Sequence, residues 1–210
     1  VDRQALVNTV LFGQGEVATS PSTTVLNDTW AWTGTTWVQL DATGPSPPPR
    51  TGASLAYDAP SHSLVLFGGE GVPSTFNNAL ALCDTWTWSG TSWTQASVGC
   101  GTGDPLGRYG ASMVTDPATG HPLLFGGDAT PANCVGNCLD LLSDTWEWNG
   151  SAWLQQAPTL NPGPRMFAPT TGTPWSATGG IVLFGGLTGT TKGTGGGQYN
   201  NEHLLGDTWV

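Results

Sequence analysis

Positive charge is scarce in this sequence. The 210 residues include five lysines and arginines against fifteen aspartates and glutamates, which gives a formal net charge of −10. Lys192 is the only lysine. A surface so poor in cations repels the phosphates of nucleic acids and of anionic membranes, so neither is an expected partner.

Long apolar runs are missing as well. No stretch approaches the roughly 18 uninterrupted apolar residues of a membrane-spanning helix, so insertion into a membrane is not expected. Apolar residues with the helical period are also absent, which favours β-strands over helices. What the sequence does have is 31 glycines, 16 prolines and 11 tryptophans. This composition predicts short strands, many turns and a core rich in indole rings.

Four sequence blocks recur in constant order, about once in every 57 residues, which is the signature of a repeat architecture. An apolar triplet ending in phenylalanine and followed by glycine occurs at residues 10–13, 65–69, 123–127 and 182–186. Asp-Thr-Trp begins at Asp28, Asp84, Asp144 and Asp207. A tryptophan follows a short glycine-containing turn at Trp37, Trp93 and Trp153, and an arginine opens a run of small residues at Arg50, Arg108 and Arg165.

Each block has the pattern of a β-strand. Residues 64–67 form a short apolar run that Gly-Gly closes, as in a strand buried on both faces. Residues 85–88, Thr-Trp-Thr-Trp, alternate with period two, and a four-residue turn separates them from Trp93. Asn149-Gly150 is a strong hairpin signal at the equivalent turn of the next repeat. Four antiparallel strands per repeat, radially arranged, make a β-propeller.

These motifs resemble those of the kelch family, in which Gly-Gly closes the second strand and two spaced aromatic residues follow. The sequence is most similar to the secreted bacterial variant related to the central domain of galactose oxidase, whose motif is Asp-Thr-Trp-x-Trp. Two departures occur: Gly13-Gln14 replaces Gly-Gly in the first repeat, and tryptophan replaces the common tyrosine at Trp32, Trp88 and Trp148.

The resemblance implies one partial kelch-like propeller over residues 1–210, with blade strands at 1–40, 50–97, 108–157 and 165–210. The strand count is three, four, four and three, or about 3.5 blades. We expect part of a six- or seven-bladed ring, completed at the chain ends by the remainder of the propeller or by a neighbouring subunit; closure as a four-bladed ring is the alternative. Phe67, Phe125 and Phe184 should be buried between blades.

Most of the variation in loop length falls on one end of the predicted sheets. The connections between second and third strands are long, at residues 14–27, 70–83, 128–143 and 187–206, and the connections between blades open on the same end. We call this end the long-loop face and the opposite end the tight-turn face. Because long loops on a rigid scaffold often carry binding sites, we expect a protein or glycan to bind there.

The four cysteines fall on the long-loop face. Cys83 precedes a third strand and Cys100 follows the fourth strand of the same hairpin, while Cys134 and Cys138 share one loop. The sequence therefore predicts two structural disulfides, Cys83–Cys100 and Cys134–Cys138, and an oxidising, extracellular or cell-surface location. A metal site made of the four thiols is the alternative, but its spacing is poor.

The repeated charged and aromatic residues have a structural interpretation. Arg50, Arg108 and Arg165 recur together with the aspartates of the Asp-Thr-Trp block, which favours ion pairs within or between blades over an anion site. The first tryptophans of that block, at equivalent strand positions, are expected in the core between blades: Trp30, Trp86, Trp146 and Trp209.

Catalytic motifs are not evident. Galactose oxidase holds copper with two histidines and two tyrosines, whereas His62 and His121 are predicted on the tight-turn face and His203 on the long-loop face. We therefore expect no catalytic, cofactor or metal residues and a non-enzymatic extracellular propeller that binds a protein or glycan. A structural module of a surface or filament assembly is the alternative, and an oxidase of the copper-radical type is the third hypothesis.

Overall fold

A computed structural model describes residues 10–12, 16–19, 22–41, 44–71, 81–98, 103–129, 139–173, 179–189 and 203–210. All regular structure in these residues is β, as the repeat predicts. No helix long and apolar enough to span a membrane occurs in this part of the chain.

Fourteen strands form the main sheets. They are β1 (Val10–Phe12), β4 (Thr29–Trp32), β5 (Trp37–Leu40), β7 (Ser54–Asp58), β8 (Ser63–Phe67), β10 (Thr85–Trp88), β11 (Trp93–Ser97), β12 (Ser112–Thr115), β13 (Pro122–Phe125), β14 (Thr145–Trp148), β15 (Trp153–Gln156), β16 (Thr170–Gly172), β17 (Ile181–Phe184) and β20 (Thr208–Trp209). The others form two-stranded ribbons: β2 (Glu16–Thr19) with β3 (Ser22–Val25), β6 (Arg50–Thr51) with β9 (Glu70–Gly71), and β18 (Leu187–Thr188) with β19 (His203–Leu204).

The main strands make four antiparallel sheets. The first sheet has the order β1-β4-β5, the second β7-β8-β10-β11, the third β12-β13-β14-β15 and the fourth β16-β17-β20. The innermost strands of successive sheets, β7, β12 and β16, lie beside one another. This radial arrangement of antiparallel sheets, two with four strands and two with three, is that of a β-propeller, and the predicted fold class is confirmed.

The third sheet shows how the sequence sets the register. Trp148 lies opposite Trp153 in the β14–β15 hairpin, and their ring centroids are 5.5 Å apart. Between them the Oδ1 atom of Asn149 accepts hydrogen bonds from the backbone N–H groups of Ser151 and Ala152, at 3.0 and 2.9 Å. The short polar side chain therefore stabilises the turn on which both tryptophans depend.

The core lies between sheets, as large side chains on one sheet contact the next. Phe67 of the second sheet is 1% exposed and packs edge-on against Trp153 of the third, with ring centroids 5.3 Å apart. Phe125 of the third sheet is 7% exposed and packs with Ala168 and Leu183.

The expected burial of Phe184 is wrong. This side chain, which the repeat equates with Phe67 and Phe125, is 50% exposed. The physical reason is that Phe67 and Phe125 are each covered by the following sheet, and the described chain has no sheet after the fourth. Trp86 and Trp146 are buried as predicted, whereas Trp209 of the last sheet is only half-buried.

Candidate functional site on the long-loop face

A repeated arginine–aspartate pair lies at the base of the long-loop face. In the third sheet, the guanidinium of Arg108 donates two hydrogen bonds to the carboxylate of Asp144, at 2.5 and 2.9 Å. It also donates to the carbonyl oxygen of Gly126 at 3.0 Å. The indole Nε1 of Trp146 donates to the same carboxylate at 2.7 Å. The pair thus joins the start of the first strand to the end of the second and the start of the third.

The same arrangement occurs in the adjacent sheets. Arg50 donates to Asp84 at 2.7 and 2.8 Å, and Arg165 donates to Asp207 at 2.7 and 2.9 Å. Asp28 of the first sheet accepts a bond from the indole of Trp30 at 2.5 Å. The paired arginines and aspartates predicted from the repeat therefore contact each other within a sheet.

The backbone of each arginine bonds to the preceding sheet. The Arg108 N–H donates to Leu82 O at 3.1 Å, and its carbonyl accepts from the Gly69 N–H at 2.8 Å. Gly126 shows why glycine occupies the end of the second strand: its φ is +65°, and a Cβ atom there would lie 2.5 Å from the carbonyl oxygen of Arg165. The arginine residue thus ties two sheets together through its backbone and one sheet through its side chain.

The ion pairs lower the pKa values of the aspartate carboxyl groups. Burial raises the pKa of Asp84 and Asp144, but the hydrogen bonds and positive charge of Arg50 and Arg108 outweigh it, so both pKa values lie below the ordinary 3.8. The hydrogen bonds of Arg165, and then that of Trp209, hold the pKa of Asp207 far below its usual range. All three carboxyl groups are therefore ionised at neutral pH and bound within the fold.

The cysteines are described only in part. Cys83 lies just before β10, is half-buried and is disulfide-bonded. The other three cysteines, Cys100, Cys134 and Cys138, lie outside the described residues. The pairings Cys83–Cys100 and Cys134–Cys138 stay predictions.

An aromatic cluster of Tyr109, Asp128 and Phe167 lies on the long-loop face, next to the innermost strands. The Tyr109 hydroxyl donates to Oδ2 of Asp128 at 2.9 Å, and the rings of Tyr109 and Phe167 have centroids 6.2 Å apart. Asp128 is fully buried and its Oδ1 accepts from the Asp140 N–H at 2.8 Å, which fixes one end of the connection above it. The Phe167 side chain is 57% exposed.

Phe167 has an unusual backbone conformation. Its φ is +56°, whereas the equivalent positions of the two preceding sheets are Gly52 and Gly110, both with φ of +64°. Bulky residues rarely adopt this left-handed region, and strained residues concentrate at functional sites. Sequence reasoning missed this cluster, although the signal was present: Arg-Thr-Gly and Arg-Tyr-Gly become Arg-Met-Phe in the fourth repeat.

The connections of the long-loop face also expose large apolar side chains. Val98, Leu106, Leu160 and Leu204 are each more than half exposed, as is Phe167. Apolar groups of this size in water mark candidate interaction surfaces when they gather on one face. With a net charge of −10, such a face fits an uncharged or cationic partner better than an anionic one.

The histidines lie on both faces. On the tight-turn face, Nδ1 of His121 in the third sheet lies 2.7 Å from Oδ1 of the buried Asp58 in the second sheet, and the ring of His62 lies 3.2 Å from the Tyr57 hydroxyl. His203 lies in β19 on the long-loop face. In the part of the chain that the structure describes, no three histidine, cysteine or acidic side chains form a group suited to a metal ion.

The fold and the repeated pairs define the class of protein as β-propeller type. No protein-family model matches the chain, and no curated protein sequence matches it. Among solved structures the chain is similar to that of YjhT, a protein of β-propeller type, with a TM-score of 0.59 and 17% sequence identity. The likeness covers 86% of this chain and 56% of YjhT, so the chain spans little more than half of that protein's length. At this identity the likeness shows the fold alone.

Proposed function

We propose that the protein is a non-enzymatic extracellular kelch-like propeller that binds a protein or glycan through its long-loop face. The observation that carries the proposal is Phe167, a half-exposed aromatic ring in a backbone conformation that the equivalent positions reserve for glycine. A strained backbone costs about 1–3 kcal/mol, and such a cost persists where function requires the side chain.

The surroundings of Phe167 suit recognition. Tyr109 stands beside its ring and is held in place by the buried Asp128, so the aromatic surface is rigid. Rigid aromatic side chains supply much of the energy in protein interfaces, and their flat faces also stack on sugar rings. The exposed leucines Leu106, Leu160 and Leu204 on the same face favour a protein partner within this proposal.

The extracellular location rests on the cysteines. Cys83 is disulfide-bonded, and disulfides persist in oxidising compartments. The proposed pairs Cys83–Cys100 and Cys134–Cys138 can be checked by mass spectrometry of peptides from the unreduced protein. Free thiols at all four positions would contradict an extracellular location.

The experiment that tests the binding site is the substitution Phe167→Gly, which restores the residue of the other repeats. We expect the variant to fold with unchanged or raised stability and to lose binding to immobilised glycans or secreted proteins that the wild type retains. Leu154→Ser, at an exposed apolar position on β15 away from the face, is the matched control and should bind normally. Binding that survives Phe167→Gly would refute the proposed site.

A structural module of a surface or filament assembly is the second candidate. The outward-facing apolar residues of the first and fourth sheets, Trp37 and Phe184, favour it, because contact with a neighbouring sheet would cover them. Sedimentation of the wild type and of Phe184→Ser would distinguish a self-associating module from a monomeric binder. The oxidase hypothesis has no supporting observation, since the three histidines lie on two faces.

A further inference from the structure

The hairpin turn of the third sheet carries a side-chain amide where the other two turns of this type carry a hydroxyl. The first residue of the turn is Asn149, Ser89 or Thr33, in the sequences Asn-Gly-Ser-Ala, Ser-Gly-Thr-Ser and Thr-Gly-Thr-Thr. The glycine that follows has nearly the same φ in all three, +94°, +97° and +97°. The hydroxyls of Ser89 and Thr33 accept the N–H of the last turn residue at 3.4 and 3.2 Å. A hydroxyl therefore suffices for this turn, and the fold does not require the amide.

The carbonyl oxygen of the Asn149 amide accepts three hydrogen bonds. The N–H groups of Ser151 and Ala152 donate to it at 3.0 and 2.9 Å, and the Ser151 hydroxyl donates to it at 3.0 Å. These contacts fold the side chain back over the turn, toward the peptide nitrogen of Gly150 that lies between Asn149 and Ser151. They also stabilise negative charge on Oδ1, as the donors of an oxyanion hole do.

The peptide nitrogen of Gly150 is accessible as a nucleophile. Asn149 and Gly150 are both exposed. Within the described residues, neither the Gly150 N–H nor the Nδ2 amino group of Asn149 has a hydrogen-bond partner. Because glycine has no side chain, nothing hinders the approach of its nitrogen to Cγ of Asn149. A polarised amide and an unhindered nitrogen in the next peptide bond are the two groups that form a cyclic imide.

We propose that Asn149 is a site of self-modification, which goes beyond the proposed binding at the long-loop face. The Gly150 nitrogen gives its proton to water and bonds to Cγ of Asn149. The bond from Cγ to Nδ2 breaks, and the amide nitrogen takes up a proton and leaves as ammonia. Water then opens the succinimide ring at either of its carbonyls. One product has aspartate at this position, and the other has isoaspartate, in which the main chain runs through the side-chain carbonyl. Water is consumed, ammonia is released, and nothing is oxidised or reduced.

The modification changes the junction between the second and third sheets. A Cβ atom on Gly150 would lie 3.8 Å from Oδ2 of Asp58, so this turn stands beside a fully buried carboxylate of the second sheet. Nδ1 of His121 in the third sheet lies 2.7 Å from that carboxylate, and the hydroxyl of Ser61 donates to it. Both products add a negative charge near Asp58, and isoaspartate also lengthens the main chain after Trp148. We therefore expect the modified protein to be less stable.

Peptide mapping of the full 210-residue chain tests the site. The folded protein is incubated in mildly alkaline buffer, which favours loss of the Gly150 proton, and samples taken over time are digested and analysed by mass spectrometry. We expect the peptide that contains Asn149 to show the mass gain of an amide converted to an acid. Asn27 and Asn161 are internal controls that should stay unmodified: the side chain of Asp28 hinders the nitrogen after the first, and Pro162 has no N–H to react.

Two variants separate the chemistry from the fold. Asn149→Ser, which introduces the residue of the second sheet's turn, should fold with an unchanged Tm and lose the modification. Ser151→Ala removes one of the three donors to Oδ1 and should slow the conversion about fivefold. Thr91→Ala, at the equivalent position in the turn of the second sheet, is the matched control and should leave the rate at Asn149 unchanged.

Three results would overturn the proposal. They are an unmodified Asn149 in the folded chain, conversion only after unfolding in urea, and equal rates in Ser151→Ala and the wild type. The modified protein, separated by its added charge on an ion-exchange column, should have a lower Tm than the unmodified chain, and an equal Tm would contradict the effect on the junction. Binding at the long-loop face is measured separately through Phe167→Gly, so failure of either proposal leaves the other intact.

Discussion

The third and fourth sheets carry the same motifs in different surroundings. The ion pairs Arg108–Asp144 and Arg165–Asp207 have nearly the same hydrogen-bond lengths, yet the aspartate side chain is 22% exposed in the third sheet and 39% in the fourth. Phe125 is buried and Phe184 is half exposed. Each repeat therefore sets its own local geometry, whereas the sheet that follows decides how deeply its side chains are buried.

This difference predicts that one substitution has unequal effects at equivalent positions. Arg108→Ala should lower the free energy of unfolding by about 3–5 kcal/mol, because it leaves the half-buried Asp144 without its partner. Arg165→Ala should lower it less, because water reaches Asp207 and replaces the lost contacts. Urea unfolding at pH 7 measures both.

Equal losses in the two arginine variants would contradict the dependence on burial. An Arg108→Ala protein that remained as stable as the wild type but no longer bound its partner would instead place Arg108 in the binding site.

The phenylalanines give a second contrast of the same kind. Phe67→Ala should destabilise the protein by about 3–5 kcal/mol, since it opens a cavity beside Trp153. Phe184→Ala removes a ring that is already half in water, so its cost should stay below about 1 kcal/mol. Thermal unfolding by circular dichroism is a sufficient measurement, and a comparable drop in Tm for the two variants would show that Phe184 is covered in solution.

The ion pairs also predict how stability depends on pH. Asp84, Asp144 and Asp207 have folded-state pKa values below the value of about 3.9 in an unfolded chain. Their contribution is therefore fully present above about pH 4 and is lost as the pH falls through the folded pKa values. In Arg108→Ala, burial raises the pKa of Asp144 instead, and protonation relieves the destabilisation. Urea unfolding from pH 7 to pH 3 should show that the difference in unfolding free energy between the wild type and Arg108→Ala becomes smaller in acid. A difference that stays constant with pH would contradict the pairing.

The smallest contrast concerns the threonines. Thr85→Val removes the acceptor of the Trp153 indole and should cost about 1 kcal/mol. Thr145→Val removes a hydroxyl that no described indole reaches, so its stability should match that of the wild type within about 0.5 kcal/mol. Differential scanning calorimetry of the two variants resolves this difference, and an equal loss would show that Thr145 already has a donor.

The main sheets could be predicted because the repeat places strand signals at fixed intervals. A strand begins directly after each of Asp28, Asp84 and Asp144. Gly-Gly follows the end of the preceding strand in the second and third repeats. The contact of Arg108 with Asp144 was also foreseeable, since both recur with the repeat. These features depend on residues of a single sheet, and local sequence contains that information.

The exposed Phe184 and the aromatic cluster could not be predicted in the same way. Burial of Phe184 depends on the presence of another sheet, which no residue of its own repeat specifies. Tyr109, Asp128 and Phe167 come from two sheets and meet only because the innermost strands lie side by side. The ribbon β18–β19 lies inside a long connection that lacks the repeated blocks, so nothing in the sequence marked it as paired.

The hydrogen bonds that join the two ends of each long connection determine where the chain can accept inserted residues. Gly68 donates its N–H to the carbonyl of Asp84 at 3.3 Å, and Gly126 does so to Asp144 at 3.2 Å, so both ends of the connection between them are pinned together. Once the ends are fixed, doubling the number of intervening residues costs only about 0.6 kcal/mol in chain entropy. Insertions into this connection therefore lower the stability only slightly. In contrast, Gly68 and Gly126 have no room for a side chain. Ala129 and Asp140 are joined by a backbone hydrogen bond of 3.0 Å, so foreign segments inserted between these two residues are expected to leave the sheets beneath unchanged.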